Sequence, residues 1–144
     1  MRLLIGLSAL FMLLLSVLCC QSDEETKRQR YITEGILVYK TNCSNCHQTN
    51  GKGLAALYPP IAGSDYLADK NSVICLIRYG QRGPIVVNGK RYNRPMPAQP
   101  KLSDLEIAEL TTYIYNEWGR ETRVTDVKAV TPILDACRKS VEDQ

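Results

Sequence analysis

Read for alternation of apolar and polar residues, the chain begins with an apolar run from Leu3 to Cys20, broken only by Gly6 and two serines. Its character then reverses at Gln21-Ser22-Asp23-Glu24-Glu25, and residues 20–29 read as a polar tether. From Tyr31 the positions Ile32, Gly35, Ile36 and Tyr39 recur at helical spacing, which predicts a helix ending near Thr41-Asn42. A loop with Gly51, Gly53 and Tyr58-Pro59-Pro60 follows. Asn71-Ser72 are placed to cap a short helix that carries Val73, Ile74 and Ile77 and closes at Gly80. Ile85-Val86-Val87, Asn88-Gly89 and Lys90-Arg91-Tyr92 have the signature of a hairpin with a type I′ turn. After a proline-rich stretch around Met96, Ser103 and Glu106 form a capping-box pattern ahead of Ile107, Leu110, Ile114 and Trp118, with Gly119 as the stop. Thr131-Pro132 predict the start of a last helix with Ile133, Leu134, Cys137 and Val141 on one face.

Arg2 followed by a short apolar run reads as an export signal over 1–19; the competing reading is an uncleaved membrane anchor. Cys20, preceded by the small Cys19 and followed by a polar stretch, is placed as a lipid acceptor of lipoprotein type. Acyl chains there would hold the mature protein at a membrane surface on the periplasmic side.

Composition adds two restrictions. A formal charge of +3 on 144 residues is too weak a bias for a nucleic-acid binder. Aromatic residues make up 7%, with one phenylalanine, so the core is thin unless a large apolar cofactor fills it.

Cys43-Ser44-Asn45-Cys46-His47 supplies that cofactor. Two thiols three residues apart can add to the two vinyl groups of a haem, and the adjacent histidine then lies beneath the iron; this is the c-type haem attachment signature. A thioredoxin-type redox pair needs a βαβ context that the pattern lacks. A zinc site needs four ligands, and His47 is the sole histidine, leaving only the distant Cys75 and Cys137 to complete a set. Once the signal is removed, Met96 is the sole methionine, and bis-histidine ligation within one chain is impossible. Met96 is flanked by Pro95 and Pro97, which stiffen the backbone. The metal ligands are therefore expected to be His47 and Met96, a pair that raises the haem potential and suits electron transfer. The alternative for Met96 is a core filler.

With these residues the chain, from about 30 to 119, resembles the monohaem cytochrome c family, class I-like. The resemblance implies an N-terminal helix crossed by a C-terminal one, with Gly35 and Tyr39 meeting Leu110 and Tyr113. Pro59-Pro60-Ile61-Ala62-Gly63 is similar to the family's Pro-x-Leu-x-Gly segment. By that match the Pro59 carbonyl would accept the Nδ1 hydrogen of His47, and Ile61 would pack on the haem face. Tyr66, Arg78, Tyr92 and Trp118 are candidates for the propionate surroundings. The hairpin and the tail beyond Gly119 depart from the family pattern.

The expected architecture is all-α: three main helices around one covalent haem c, a small β-hairpin, and an extra C-terminal helix over 120–144. Cys75 and Cys137 each fall on an apolar helix face in an oxidising compartment, where they would form a disulfide or remain as buried thiols. The expected function is one-electron carriage without enzymatic activity, since a six-coordinate iron leaves no open position. The resemblance implies respiratory partners, such as a quinol-oxidising complex and a terminal oxidase or nitrogen-oxide reductase. Two alternatives stand beside it: a fixed haem relay in a larger oxidoreductase, and a haem enzyme with an open iron.

Overall fold

A computed structural model describes residues 23–142. The expected export signal over 1–19 and the acyl acceptor Cys20 lie outside the described residues. The first helix, α1 (Asp23–Asn42), places Asp23, Glu24 and Glu25 in its first turn and Lys40 in its last, each sign complementing the helix dipole. This corrects the tether expected over 20–29, because from Asp23 onward that stretch is helical. Glu25 accepts hydrogen bonds from Arg28 at 2.7 Å and from Gln29 at 2.9 Å, and Lys27 pairs with Asp126. Charges that look solvated in sequence are thus used within one helix face and across to the far end of the chain.

Tyr31, Gly35 and Tyr39 form the buried stripe of α1. It crosses α4 (Asp104–Glu117), whose start carries the expected capping box between Ser103 and Glu106. Gly35 permits the crossing: a Cβ there would stand 2.3 Å from the Glu109 carbonyl oxygen and 2.7 Å from Tyr113 Cβ. Beside the crossing, Tyr39, Tyr113 and Trp118 pack edge to face or tilted, with ring centroids 5.3–5.4 Å apart. The stop of α4 differs from expectation. Trp118 is the C-cap and Arg120 takes the left-handed conformation (φ 57°), while Gly119 is required because a Cβ would lie 2.8 Å from the Tyr115 ring.

Between these helices lie a single turn, α2 (Ser44–His47), a 3₁₀ turn (Asp65–Ala68), α3 (Lys70–Tyr79), and strands β1 (Ile85–Val87) and β2 (Lys90–Tyr92). Helix α3 is capped by Asp69, not by Asn71-Ser72; its carboxylate accepts from the backbone N–H groups of both. The hairpin pairs Ile85 with Tyr92 and Val87 with Lys90, and Asn88 and Gly89 both have positive φ, as a type I′ turn requires.

The last helix, α5 (Val127–Glu142), starts earlier than Thr131-Pro132 suggested. Asp126 supplies the start by accepting the Lys128 N–H at 2.8 Å, and Pro132 sits inside the helix. Val130, Leu134 and Cys137 are its buried face. Because α1, α3 and α5 all pack on α4, that helix is buried nearly all round, from Ile107 to Thr112 and again at Ile114 and Tyr115. The structure joins Cys75 of α3 to Cys137 of α5 in a disulfide, resolving the choice left open by the sequence.

Candidate haem cleft

The Cys43–His47 segment is built by the end of α1. The Cys43 N–H donates to the Tyr39 carbonyl at 2.9 Å, and the Cys46 and His47 N–H groups both donate to the Cys43 carbonyl. The chain therefore turns at Cys43 and winds once more, which brings Cys43, Cys46 and His47 to one cleft. Beyond it, the loop is closed by its own backbone. Gly53 N–H donates to the His47 carbonyl at 2.9 Å, and Ile61 and Ala62 N–H both reach the Gly51 carbonyl at 2.7 and 2.9 Å. Tyr39 Oη donates to the Gln48 carbonyl at 2.7 Å.

His47 Nδ1 lies 3.0 Å from the Pro59 carbonyl oxygen. A carbonyl can only accept, so Nδ1 carries the hydrogen and Nε2 keeps its lone pair for a metal. Burial also pushes the His47 pKa down, against the opposing effect of that bond, and so favours the neutral ring that a metal needs.

The cleft is walled by apolar side chains. Ile61, Leu67, Val73, Leu76 and Ile77 come from the loop and α3, and Ile85 and Val87 from the hairpin. Asn88 anchors the hairpin to the loop wall by accepting the Asp65 N–H at 2.9 Å and donating to the Gly63 carbonyl at 3.0 Å. Met96, between its two prolines, lines the same cleft.

The Cys43 and Cys46 thiols are both unpaired and half-buried. Burial, with the neighbouring Cys46 thiol adding to it, pushes the Cys43 thiol up to about 12, the opposite of the depressed value that activates a redox cysteine. Since Cys75 and Cys137 are bonded to each other, they cannot complete a zinc set with the CxxCH thiols. Two free thiols, an imidazole with an available Nε2 and a thioether, in a largely hydrocarbon cleft, fit a flat apolar macrocycle with a metal at its centre.

All six sequence-derived site residues, Cys43, Cys46, His47, Pro59, Ile61 and Met96, line this cleft. Of the four propionate candidates, Tyr66 does too. Arg78 is instead paired with Asp104 at 2.7 Å and bonded to the Leu102 carbonyl, Tyr92 is buried in the hairpin, and Trp118 packs against Gly51 and Tyr39. Four polar lining residues had not been singled out in the sequence: Ser64, Gln81, Arg94 and Gln99. An Arg immediately before the Pro-Met-Pro segment was the available signal for Arg94.

A family model described as Cytochrome c matches residues 32–118. Cytochrome c-552 of Thermus thermophilus is 35% identical over 103 residues, covering 68% of this chain and 78% of that one. The cytochrome c subunit of alcohol dehydrogenase (quinone) from Komagataeibacter europaeus is 28% identical over 110 residues, 70% of this chain but 22% of its own length. The gluconate 2-dehydrogenase cytochrome c subunit of Pantoea cypripedii is 33% identical over 95 residues, 63% of this chain and 21% of that one. The chain thus spans about a fifth of the length of these two dehydrogenase subunits.

Proposed function

The chain belongs to the cytochrome c family, whose cofactor is covalently bound haem c, and from that premise we propose that it is a one-electron carrier with His47 and Met96 as the two axial ligands. The observation that carries this reading is the convergence of Cys43, Cys46, His47 and Met96 on one apolar cleft. Haem c supplies the one-electron iron couple. Cys43 and Cys46 hold it through thioether bonds. Pro59, by accepting from Nδ1, fixes the ring of His47 and raises its donor strength. Met96, presented on a proline-stiffened loop, would be the second protein donor to the iron, and the apolar walls would keep water from it. The protein's part is to hold the ligand set nearly unchanged as the charge on the iron changes.

The carrier is exported and held on the periplasmic side of the membrane by an acyl chain on Cys20. It serves a respiratory chain between a quinol-oxidising complex and a terminal oxidase or nitrogen-oxide reductase. Cys20→Ser should release it from the membrane fraction; retention there would remove the anchor from the proposal. A second reading, a fixed haem relay in a larger oxidoreductase, is favoured by the similarity to dehydrogenase cytochrome c subunits. Co-purification with a membrane dehydrogenase after mild solubilisation would select it.

The ligand set is tested by optical spectroscopy of the oxidised and dithionite-reduced protein. A sharp reduced α-band, with a near-infrared sulfur–iron charge-transfer band that vanishes in Met96→Ala, is the expected result. A five-coordinate spectrum in the unaltered protein, shifting with carbon monoxide, would replace it with an open-iron site.

A further inference from the structure

The methionine loop is bonded to the rest of the chain at very few points. Pro95 and Pro97 have no N–H to donate. Among the described residues, the backbone of 94–98 is hydrogen-bonded only at Gln81, where Met96 N–H donates to the Gln81 carbonyl and Gln81 N–H to the Met96 carbonyl, both at 3.0 Å. Just beyond the loop, Gln99 N–H donates to the Ile77 carbonyl at 3.1 Å. Gly80 lies flat against the loop; a Cβ there would meet Met96 O at 2.5 Å and Ala98 N at 2.7 Å. The loop therefore hangs on the C-terminal end of α3 and on the two residues that follow it.

That end of α3 is in turn fixed to α5. Cys75 is bonded to Cys137, with Cα atoms 5.9 Å apart, and Tyr79 Oη donates to the Leu134 carbonyl at 3.0 Å. Meanwhile Val73, Leu76 and Ile77 of the same helix line the cleft. Helix α5 lies outside residues 32–118, the part of the chain that the family model matches.

We infer that α5 is a clamp that positions the methionine ligand: through the Cys75–Cys137 disulfide and the Tyr79–Leu134 bond it holds the end of α3, and through Gln81 it holds Met96 against the cleft. The inference rests on Met96 as the axial sulfur. It assigns Cys75, Cys137 and Tyr79, which lie off the cleft lining, as positioning residues, with Gln81, itself on the cleft wall, as the link to Met96. A ligand such as imidazole can take the iron only in the fraction of molecules whose methionine is off, so its apparent affinity reports how firmly the loop is held.

The test uses the complete holoprotein, as Cys75→Ser/Cys137→Ser and as Tyr79→Phe, titrated with imidazole at a temperature where far-ultraviolet circular dichroism shows each variant folded. The double serine variant should lose the sulfur–iron band at imidazole concentrations about tenfold lower than the parent, a coupling of ordinary size between two sites. Tyr79→Phe should move the same way by less. Unchanged imidazole affinity in both variants, with only an earlier melt, would reduce the disulfide to a general staple and end the clamp. Amide hydrogen exchange at Gln81 and Met96 separates the clamp from the ligand assignment. Should the parent lack the sulfur–iron band, Met96 is not the ligand. Faster exchange of those two amides in the variants, relative to α1, still supports the clamp, and equal exchange rejects it.

Discussion

The two sides of the cleft are built on opposite plans. The histidine side is fixed by its own neighbourhood: His47, Gln48, Gly51, Gly53, Pro59, Ile61 and Ala62 bond mainly to one another, and Tyr39 reaches in from the adjoining helix. On the methionine side the backbone of 94–98 is bonded, among the described residues, only at Gln81, and the loop depends on an element that ends far away in sequence. Local closure suits the segment that must present two thiols and an imidazole in fixed register for attachment. A thioether is a weak donor, so its retention rests on how rigidly distant parts of the fold hold it. Damage near the histidine side should therefore appear as lost folding or lost attachment, and damage near the methionine side as lost ligation in a protein that still folds.

The largest effect is expected at the helix crossing beneath the histidine side. Gly35→Val forces at least one carbon to within 2.3 Å of the Glu109 carbonyl oxygen, and neither helix backbone can yield without moving Tyr39 and Tyr113. Overpacking of this kind costs about 3 kcal/mol, measurable by denaturant unfolding, with reduced haem incorporation. A variant with parental stability would show that the two helices can separate without cost.

Next in size is Gly53→Ala. Gly53 has φ +68°, and an added Cβ would stand 2.3 Å from Tyr58 O and 2.5 Å from Pro59 O, the oxygen that orients His47. Gly89→Ala is the control, because Gly89 has φ +75° with nothing within 4 Å of the added carbon. Left-handed strain alone costs about 1 kcal/mol, which is the expectation for Gly89→Ala. The collision raises Gly53→Ala to about 2–3 kcal/mol and should also alter the visible spectrum. Equal losses in the two variants would mean that the Pro59 carbonyl is free to move.

How much of this was legible in the sequence follows the same division. Cys43, Cys46 and His47 announce themselves by spacing, and Pro59 and Ile61 by their place in the following segment. Met96 emerged by elimination, and the hairpin from Asn88-Gly89. These are local signals, or counts of rare residue types. The Gln81–Met96 bridge is made wholly by backbone atoms of residues far apart in sequence, which leaves no side-chain signature. Gly80, which reads as a helix stop, has a second role in contact with the methionine loop. The first turns of α1 were misread because paired charges within a helix have the same composition as a solvated linker. The true starts of α3 and α5, Asp69 and Asp126, were each passed over for a plausible signal a few residues further on.

The smallest effect expected is at the start of α4, where the two plans meet. Glu106 accepts from Ser103 N–H at 2.7 Å and from its hydroxyl at 2.8 Å, and these bonds hold its carboxyl below the usual carboxylate range. A depressed carboxyl stabilises the fold fully above its ordinary pKa and loses that contribution as pH falls through the lower, folded value. Ser103→Ala should cost about 1 kcal/mol at neutral pH and flatten this part of the acid limb of the stability profile. The flanking residues Leu102 and Asp104 are the partners of Arg78 from α3, so fraying at this cap loosens the helix that holds the methionine loop. The variant should therefore bind imidazole slightly more tightly while the His47 surroundings, read by hydrogen exchange at Gly53 and Ile61, stay as they were. Faster exchange at those two amides as well would show the two sides to be one cooperative unit and remove the distinction between them.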